Sequence, residues 1–346
     1  MTSAARFLSP SEAAHRLGVS AKALRLYEQR GLLSPARTAA GWRAYGPDEM
    51  ARGARIAALR RLGLSLAQVA RVLAGHPEDL GPALAAHAAA LEGRARELAA
   101  TIEEVRRLRS ELDLGRTPAL EDLARLLAPA PGLDVEFWLP WPWGGERFAL
   151  RGARRLNYIV GPLGSGKTRL ARRLAEVLPA AAFLGLDRSQ DGNIPARLAA
   201  DPALGARVDQ ALAWLVDDGA TASAALTALL AGLEAPGPAA LVVDMVEDGL
   251  DEATQQAVIA HLRRRTADGR PLFMITRSCA VLDLAAVGAD ESIILCPANH
   301  SPPSFVASWP GALGYEAVAT CLASPAVRAR TQGVIAWRPP QTAGNP

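Results

Sequence analysis

The sequence predicts a multidomain chain of three parts in series: a small all-α head with a β-wing, a long coiled-coil helix, and an α/β domain built on a mostly parallel sheet. Three observations predict it. Residues 9–31 hold two short helical stretches, each with its own start and stop signals, joined at a glycine. Between residues 84 and 112, apolar residues repeat every seven positions. Beyond residue 133, apolar strand-like runs alternate with helical stretches, and one run leads straight into a glycine-rich loop.

Composition limits the function. The chain has 346 residues, half of them hydrophobic, with 38 Lys+Arg and 35 Asp+Glu. That is enough for two or three domains with cores of their own. No apolar run is long enough to cross a bilayer, and the opening MTSAARFLSP lacks the apolar stretch of a signal peptide. The expected compartment is the cytoplasm, with no membrane partner. Cys279, Cys296 and Cys321 lie far apart and form no C-x-x-C. They read as buried free thiols rather than a metal cluster or disulfides. The net charge of +3 hides an asymmetry: residues 1–77 carry 12 Lys/Arg against 4 Asp/Glu, and the remainder is net acidic. A basic end on an acidic body is an electrostatic footprint for nucleic acid, confined to that end. Only Lys22 and Lys167 are lysines, and each falls in a motif.

Residues 1–77 form the expected head. Ser9-Pro10-Ser11-Glu12 is a capping-box start, and the helix runs through Leu17 to stop at Gly18. Ser20 caps a second helix, Ala21 to Arg30, ended by Gly31. Two short helices about a tight turn are the helix-turn-helix pattern, whose second helix enters the DNA major groove with its N-terminal residues leading. Lys22 and Arg25 lie there, one turn apart on one face, while Leu24 faces inward. Residues 34–46, around Arg37, Trp42, Arg43 and Tyr45, read as a small wing. Two more helices follow, about 47–62 and 65–74, with Gly63 between them.

The run Leu24-Arg25-Leu26-Tyr27-Glu28 through Gly31-Leu32-Leu33 resembles the L-R-x-Y-E-x-x-G-L-L motif of MerR-family transcription regulators, and Gly41-Trp42-Arg43-Ala44-Tyr45 resembles their wing motif G-[YW]-R-x-Y. The resemblance covers about residues 7–75. It implies that Lys22 and Arg25 approach the groove and that Tyr27, Arg37, Arg43 and Tyr45 hold phosphates. Packing within the wing is the alternative for Tyr27, Trp42 and Tyr45. It also implies a promoter operator in double-stranded DNA as partner, RNA polymerase at the same promoter, and a spacer distorted when an effector binds.

Residues 78–114 form the expected connecting helix. Leu84, Leu91, Leu98, Val105 and Leu112 recur every seven residues, and Ala88, Ala95 and Ile102 sit four after the first three. This seam, with Arg and Glu outside it, is too narrow for a buried helix and predicts a homodimer formed through a coiled coil. The MerR resemblance implies the same, a long helix pairing antiparallel with its dimer mate. The alternative is a lone amphipathic helix folded onto its own body. Residues 115–132, rich in Pro, Ala and Leu, read as a linker with one short helix.

Residues 133–346 form the expected α/β domain. Val135–Leu139 and Phe148–Leu150 read as short strands. Leu156–Val160 reads as a buried strand running into Gly161-Pro162-Leu163-Gly164-Ser165-Gly166-Lys167-Thr168, a full match to G-x-x-x-x-G-K-[ST], with a helix after it. Backbone N–H groups about Gly161, Gly164, Ser165 and Gly166 and the helix N-terminus would cradle phosphates. Lys167 would reach the β- and γ-phosphates, and Thr168 would ligate Mg²⁺. A second strand, Ala239–Val243, ends in Asp244, an acid placed in the Walker B manner to hold Mg²⁺ through water. A third, Pro271–Thr276, follows a helix over 252–265. The alternation argues for a parallel sheet with helices on both faces, and the phosphate-loop motif on it makes the expected domain an α/β P-loop NTPase. The expected cofactors are ATP and Mg.

Asp244-Met245-Val246-Glu247-Asp248-Gly249-Leu250-Asp251 resembles the D-E-P-T-x-G-L-D stretch of ABC-type ATPases, over about residues 133–285 and closer to compact SMC/RecF-type members than to transporter subunits. Asp218-Gly219-Ala220-Thr221 stands where that family has its L-S-G-G-Q signature, and Gln190 where it has its Q-loop glutamine. The departures matter more. Met245 occupies the position of the catalytic glutamate, and a thioether cannot polarise water. Arg277 falls near the switch histidine, and the signature lacks its second glycine and its glutamine. The reading is Mg·ATP binding with slow or absent hydrolysis; no catalytic residue is assigned, and Glu247, Asp248 and Asp251 are the candidate substitutes. The tail should hold a strand at 292–295 and a helix near 315–321, with His300 beside Ser301 read as an exposed loop residue and, in the alternative, as a ligand. Together these features predict a MerR-type regulator that senses ATP. The alternative is a DNA-tethered ATPase or P-loop kinase acting in DNA repair or chromosome handling.

Overall fold

A computed structural model describes residues 7–117, 134–151, 153–189, 192–264, 270–324 and 327. The expected linker helix and Gln190 lie outside them. The head holds helices α1 (Pro10–Leu17), α2 (Ala21–Gln29), α3 (Pro47–Arg61) and α4 (Leu66–Leu73), and a two-residue antiparallel wing, β1 (Ala36–Arg37) with β2 (Arg43–Ala44). α1 opens on its capping box: Ser9 Oγ accepts the Glu12 N–H at 3.4 Å, and Glu12 accepts the Ser9 N–H at 2.9 Å. Such a cap contributes about 1 kcal/mol. Ser65 and Gln68 make a second capping box at α4. Leu24, Tyr45 and Ile56 are wholly buried, packed with Leu17, Leu33 and Val69.

α5 (Leu80–Asp113) is one helix of 34 residues, about 51 Å long at the usual rise per residue. Its seam residues Leu84, Leu91, Leu98, Ile102, Val105 and Leu112 are exposed, Leu98 by 64%. The seam therefore does not fold onto the chain's own body. On the flanks, Arg107 bonds both Glu104 and Glu111, one turn away on either side.

The body begins with the hairpin β3 (Val135–Trp138) and β4 (Arg147–Leu150). Its sheet has six strands: β5 (Leu156–Val160), β6 (Ala181–Leu184), β7 (Ala240–Val243), β8 (Leu272–Ile275), β9 (Glu291–Leu295) and β10 (Ser304–Val306), in the order β10-β9-β5-β8-β7-β6. All neighbours are parallel except β10 on β9. The helices are α6 (Lys167–Val177), α7 (Ile194–Ala200), α8 (Pro202–Asp217), α9 (Ala224–Leu233), α10 (Glu252–Arg264) and α11 (Tyr315–Cys321). The two-residue alternation of β5 sorts its side chains onto two cores. Leu156, Tyr158 and Val160 pack with Leu215, Leu229 and Val258 of α8, α9 and α10. Ile159 packs with Leu170 and Leu174 of α6 and with the hairpin's Phe137 and Phe148. Strands covered on both faces need continuous apolar runs, as ALVV in β7 and LFMI in β8 supply. Because β5, β7 and β8 are parallel, their C-terminal ends deliver loops 161–168, 244–251 and 276–279 to the same edge. Among the cysteines only Cys296 is buried; Cys279 and Cys321 are half-buried, which corrects the expectation for those two.

Candidate nucleotide pocket and nucleic-acid interface

The phosphate loop leaves β5 and enters α6. Gly164 and Gly166 take φ of +81° and +89°, which side chains rarely adopt. A Cβ at Gly161 would lie 2.3 Å from the Cys296 carbonyl oxygen, and one at Gly166 would lie 2.6 Å from the Trp143 ring. Lys167 Nζ donates to the carbonyls of Gly161 at 2.8 Å and Pro162 at 2.7 Å, and burial pushes its ammonium pKa down. Burial likewise pushes the neighbouring Cys296 thiol up to about 12. Thr168 Oγ1 donates to Asp244 Oδ2 at 3.1 Å, so the two expected Mg²⁺ ligands, delivered by β5 and β7, meet. Burial pushes the Asp244 carboxyl above the usual carboxylate range, against the Thr168 hydrogen bond. Asp244 Oδ1 and Ser165 Oγ are buried without a hydrogen-bond partner, an arrangement that costs about 1–3 kcal/mol per group. A hydroxyl and a carboxylate are hard oxygen donors of the kind Mg²⁺ takes, and the orphaned oxygens face no competing partner. The residues present fit Mg·nucleotide.

The flank explains what Met245 does. Arg188, on the turn Leu186–Ser189 after β6, donates to the carbonyls of Asp244 and Met245, both at 2.6 Å. Met245 adopts φ +45°. Of the candidate substitutes for a glutamate, Glu247 is buried and accepts the Arg277 N–H at 2.9 Å. Asp251 accepts from the Thr221 hydroxyl and from the Thr254 N–H, both at 2.7 Å. Both carboxylates hold loops together. Asp248 is half-buried beside them.

Residues outside the motif also border the loop. His300, expected as an exposed loop residue, places Nε2 3.1 Å from the Gly164 carbonyl oxygen, a contact spanning 136 positions. The Trp143 indole donates to the Ser301 carbonyl, so loop 299–301 lies against the phosphate loop. Trp141, 70% exposed, carries the Arg169 guanidinium 4.5 Å over its ring.

The expected DNA residues divide. Arg25 and Arg37 are exposed, and Arg37 donates to the Gly41 carbonyl at 3.0 Å. Arg43 Nε donates to Glu28 at 2.5 Å, and the Tyr45 hydroxyl donates to the other Glu28 oxygen. Tyr45 is wholly buried and Tyr27 nearly so. Burial favours the packing alternative for both tyrosines: Glu28 closes the wing onto α2 and engages the Tyr45 hydroxyl from within, and the Tyr27 hydroxyl lies beside Arg60. Lys22 Nζ donates to the Cys279 carbonyl of the body at 2.6 Å.

Residues 8–76 match the family model described as MerR HTH family regulatory protein, and residues 51–114 match that described as MerR, DNA binding. The N-terminal head is a MerR-family helix-turn-helix domain. Over 65 residues the chain is 45% identical to a Haemophilus influenzae protein described as a probable heavy metal-dependent transcriptional regulator, covering 18% of this chain and 51% of that one. Over 64 residues it is 45% identical to the HTH-type transcriptional regulator HmrR of Sinorhizobium medicae, covering 18% of this chain and 44% of that one. The chain thus spans about half the length of the curated relatives it matches. Among solved structures, it is similar to HiNmlR, a MerR family regulator lacking the sensor domain and bound to promoter DNA: 19% identity, 36% of this chain, 98% of that one, TM-score 0.27. It is also similar to MJ1267, the ATP-binding cassette of an ABC transporter in its ADP conformation: 13% identity, 58% of this chain, 98% of that one, TM-score 0.35. Neither structural likeness carries weight at that score. The α/β reading rests on the strand order above, with the MerR head joined ahead of it. No helix among the described residues is long and apolar enough to cross a membrane.

Proposed function

We propose that this chain is a dimeric, DNA-binding transcriptional regulator of the MerR type whose C-terminal domain binds Mg·ATP as its switch, with slow or absent hydrolysis. One observation carries the reading: a MerR-family head shares its chain with a phosphate loop whose Thr168 and Asp244 meet beside Lys167. A bound nucleotide supplies a charged ligand that can shift a conformational equilibrium. Lys167 would exchange its two carbonyl acceptors for phosphate oxygens, and Thr168 and Asp244 would hold Mg²⁺. The exposed Trp141 face offers a stacking surface for the base. Met245 supplies no carboxylate to activate water, and Glu247 and Asp251 are engaged elsewhere, which favours a sensor over a DNA-tethered ATPase or kinase. In the head, Lys22 and Arg25 would enter the major groove, with Arg37 and Arg43 on phosphates. The α5 seam would pair two copies, which suits a two-fold operator, with RNA polymerase at the same promoter.

The test is a calorimetric titration of Mg·ATP, and of a slowly hydrolysed analogue, into the full-length chain, with Lys167→Ala alongside. Micromolar binding lost in the variant is expected. Absence of binding by the wild-type chain would sink the nucleotide reading. Promoter footprints that do not change with ATP would sink the switch.

A further inference from the structure

The MerR-type head does not stand apart from the body. Asp218, at the end of α8, is only 3% exposed. Its carboxylate takes both Arg60 Nη atoms, one at 3.0 Å, and the Leu66 N–H that opens α4 at 2.8 Å. Arg30, just past α2, donates to the Gly219 carbonyl at 3.2 Å, and a Cβ at Gly219 would lie 1.5 Å from the Arg30 Nη2. Trp214 has two guanidiniums over its ring, Arg60 of the head at 5.8 Å and Arg264 of the body at 4.8 Å. At the other end of α2, Lys22 is hydrogen-bonded to the Cys279 carbonyl in the loop after β8. The contacts run along α2 from its first turn to its last.

We propose that the body carries a docking surface, centred on Asp218 and the Cys279 carbonyl, whose partner is the chain's own DNA-reading head, and that docking there and DNA binding exclude each other. The inference rests on the reading of the head as DNA-binding. Lys22 cannot serve the Cys279 carbonyl and a base edge together. A body segment within hydrogen-bond reach of α2 also occupies the space a groove wall needs, since the major groove is only about 12 Å wide. The surface is polar and charge-paired. A buried ion pair of this kind roughly balances the hydration it gives up, and domain contacts of polar character are expected to open. That makes the docked state reversible rather than fixed. Apparent DNA affinity then falls by the fraction of heads undocked, so a tenth undocked weakens it about tenfold.

Because the chain has only two lysines and three cysteines, a short amine-to-thiol crosslinker reports docking as a Lys22–Cys279 peptide pair in mass spectra of the full-length chain. Asp218→Asn keeps the side-chain shape and the acceptor for Leu66 while removing the charge that holds Arg60. Arg30→Ala, at an exposed position, guards against a folding defect. The wild-type chain is expected to give the crosslink and to lose it as duplex DNA, enriched by that chain from a random-sequence pool, is added. Both variants should crosslink several-fold less, and Asp218→Asn should bind the duplex about tenfold more tightly. A crosslink indifferent to duplex, or equal affinities once the crosslink is lost, overturns the proposal. If neither chain enriches any duplex, the DNA reading itself fails. That failure is told apart because the crosslink reports docking without DNA.

Discussion

Asp244 shows how one side chain can oppose the fold and serve the site. Its raised carboxyl pKa means that, as pH rises, the unfolded chain gives up this proton in the ordinary carboxylate range while the folded chain still holds it. Ionisation of Asp244 therefore weakens the fold as pH rises through the folded value. Mg²⁺ competes for the same carboxylate, so Mg-dependent nucleotide affinity should fall as pH drops through that window. Titrations at descending pH, on the chain and on Asp244→Asn side by side, check this, and the same pH dependence in both would remove Asp244 from the metal. Asp244→Asn should lose the Mg dependence and raise the Tm of the Mg-free chain by about 2–4 °C, the scale of ~1 kcal/mol in a domain of this size. Gly161→Ala should act in the opposite sense, because its Cβ meets a backbone carbonyl at 2.3 Å, not the tip of a flexible side chain. A loss of at least about 2 kcal/mol by denaturant unfolding is expected. The loop, Lys167, Thr168 and Asp244 were legible because their chemistry is fixed by spacing and by position at strand ends. His300, Trp141 and Arg188 were not, because each reaches the site from a segment distant in sequence. For Tyr27 and Tyr45 the motif left phosphate contact and packing both open, because it says nothing of which way a ring points.

α5 was legible as an element and as a surface: its period of seven fixed which residues line one side, and those residues are exposed along the helix. Leu98→Glu with Ile102→Glu should turn a dimer into a monomer by sedimentation, with helix content kept. Each lost leucine-sized contact is worth about 1.5–3 kcal/mol, and two-fold symmetry removes it twice, so a hundredfold weaker dimer or worse is expected. A chain that stays dimeric would place the interface elsewhere. The β5, β7 and β8 strands were equally legible from unbroken apolar runs. β6 escaped notice because its Ala-Ala-Phe-Leu run lacks β-branched residues and sits in an Ala-rich stretch. α8 carries a readable start, Asp201 capping Leu204 ahead of Pro202, but in an Ala-rich stretch it lacked a sharply apolar face.

Across the whole molecule, a basic head is carried on an acidic body, and the sequence read that asymmetry as a footprint for DNA alone. The body's Asp218 shows a second use for it. Arg37 and Arg43 from two heads would neutralise about four phosphates. The logarithm of duplex affinity should then fall with the logarithm of salt at a slope of about −4. A slope near zero would deny phosphate contact. Both loops that hold the head also bond the stretch after β7: Thr221 to Asp251 and Thr254, and Arg277 to Glu247. If nucleotide and head are coupled through that stretch, Mg·ATP must change the Lys22–Cys279 crosslink yield, and duplex must change nucleotide affinity by the same factor. Trp214 offers an optical readout of the same junction. Its indole N–H is buried without a partner, and its ring has a guanidinium from each side of the junction. When the head leaves, that N–H meets water and one of its two cations departs. With seven tryptophans in the chain, the difference between its emission and that of a Trp214→Phe variant isolates this residue; that difference should move to longer wavelength on opening, without any attached dye.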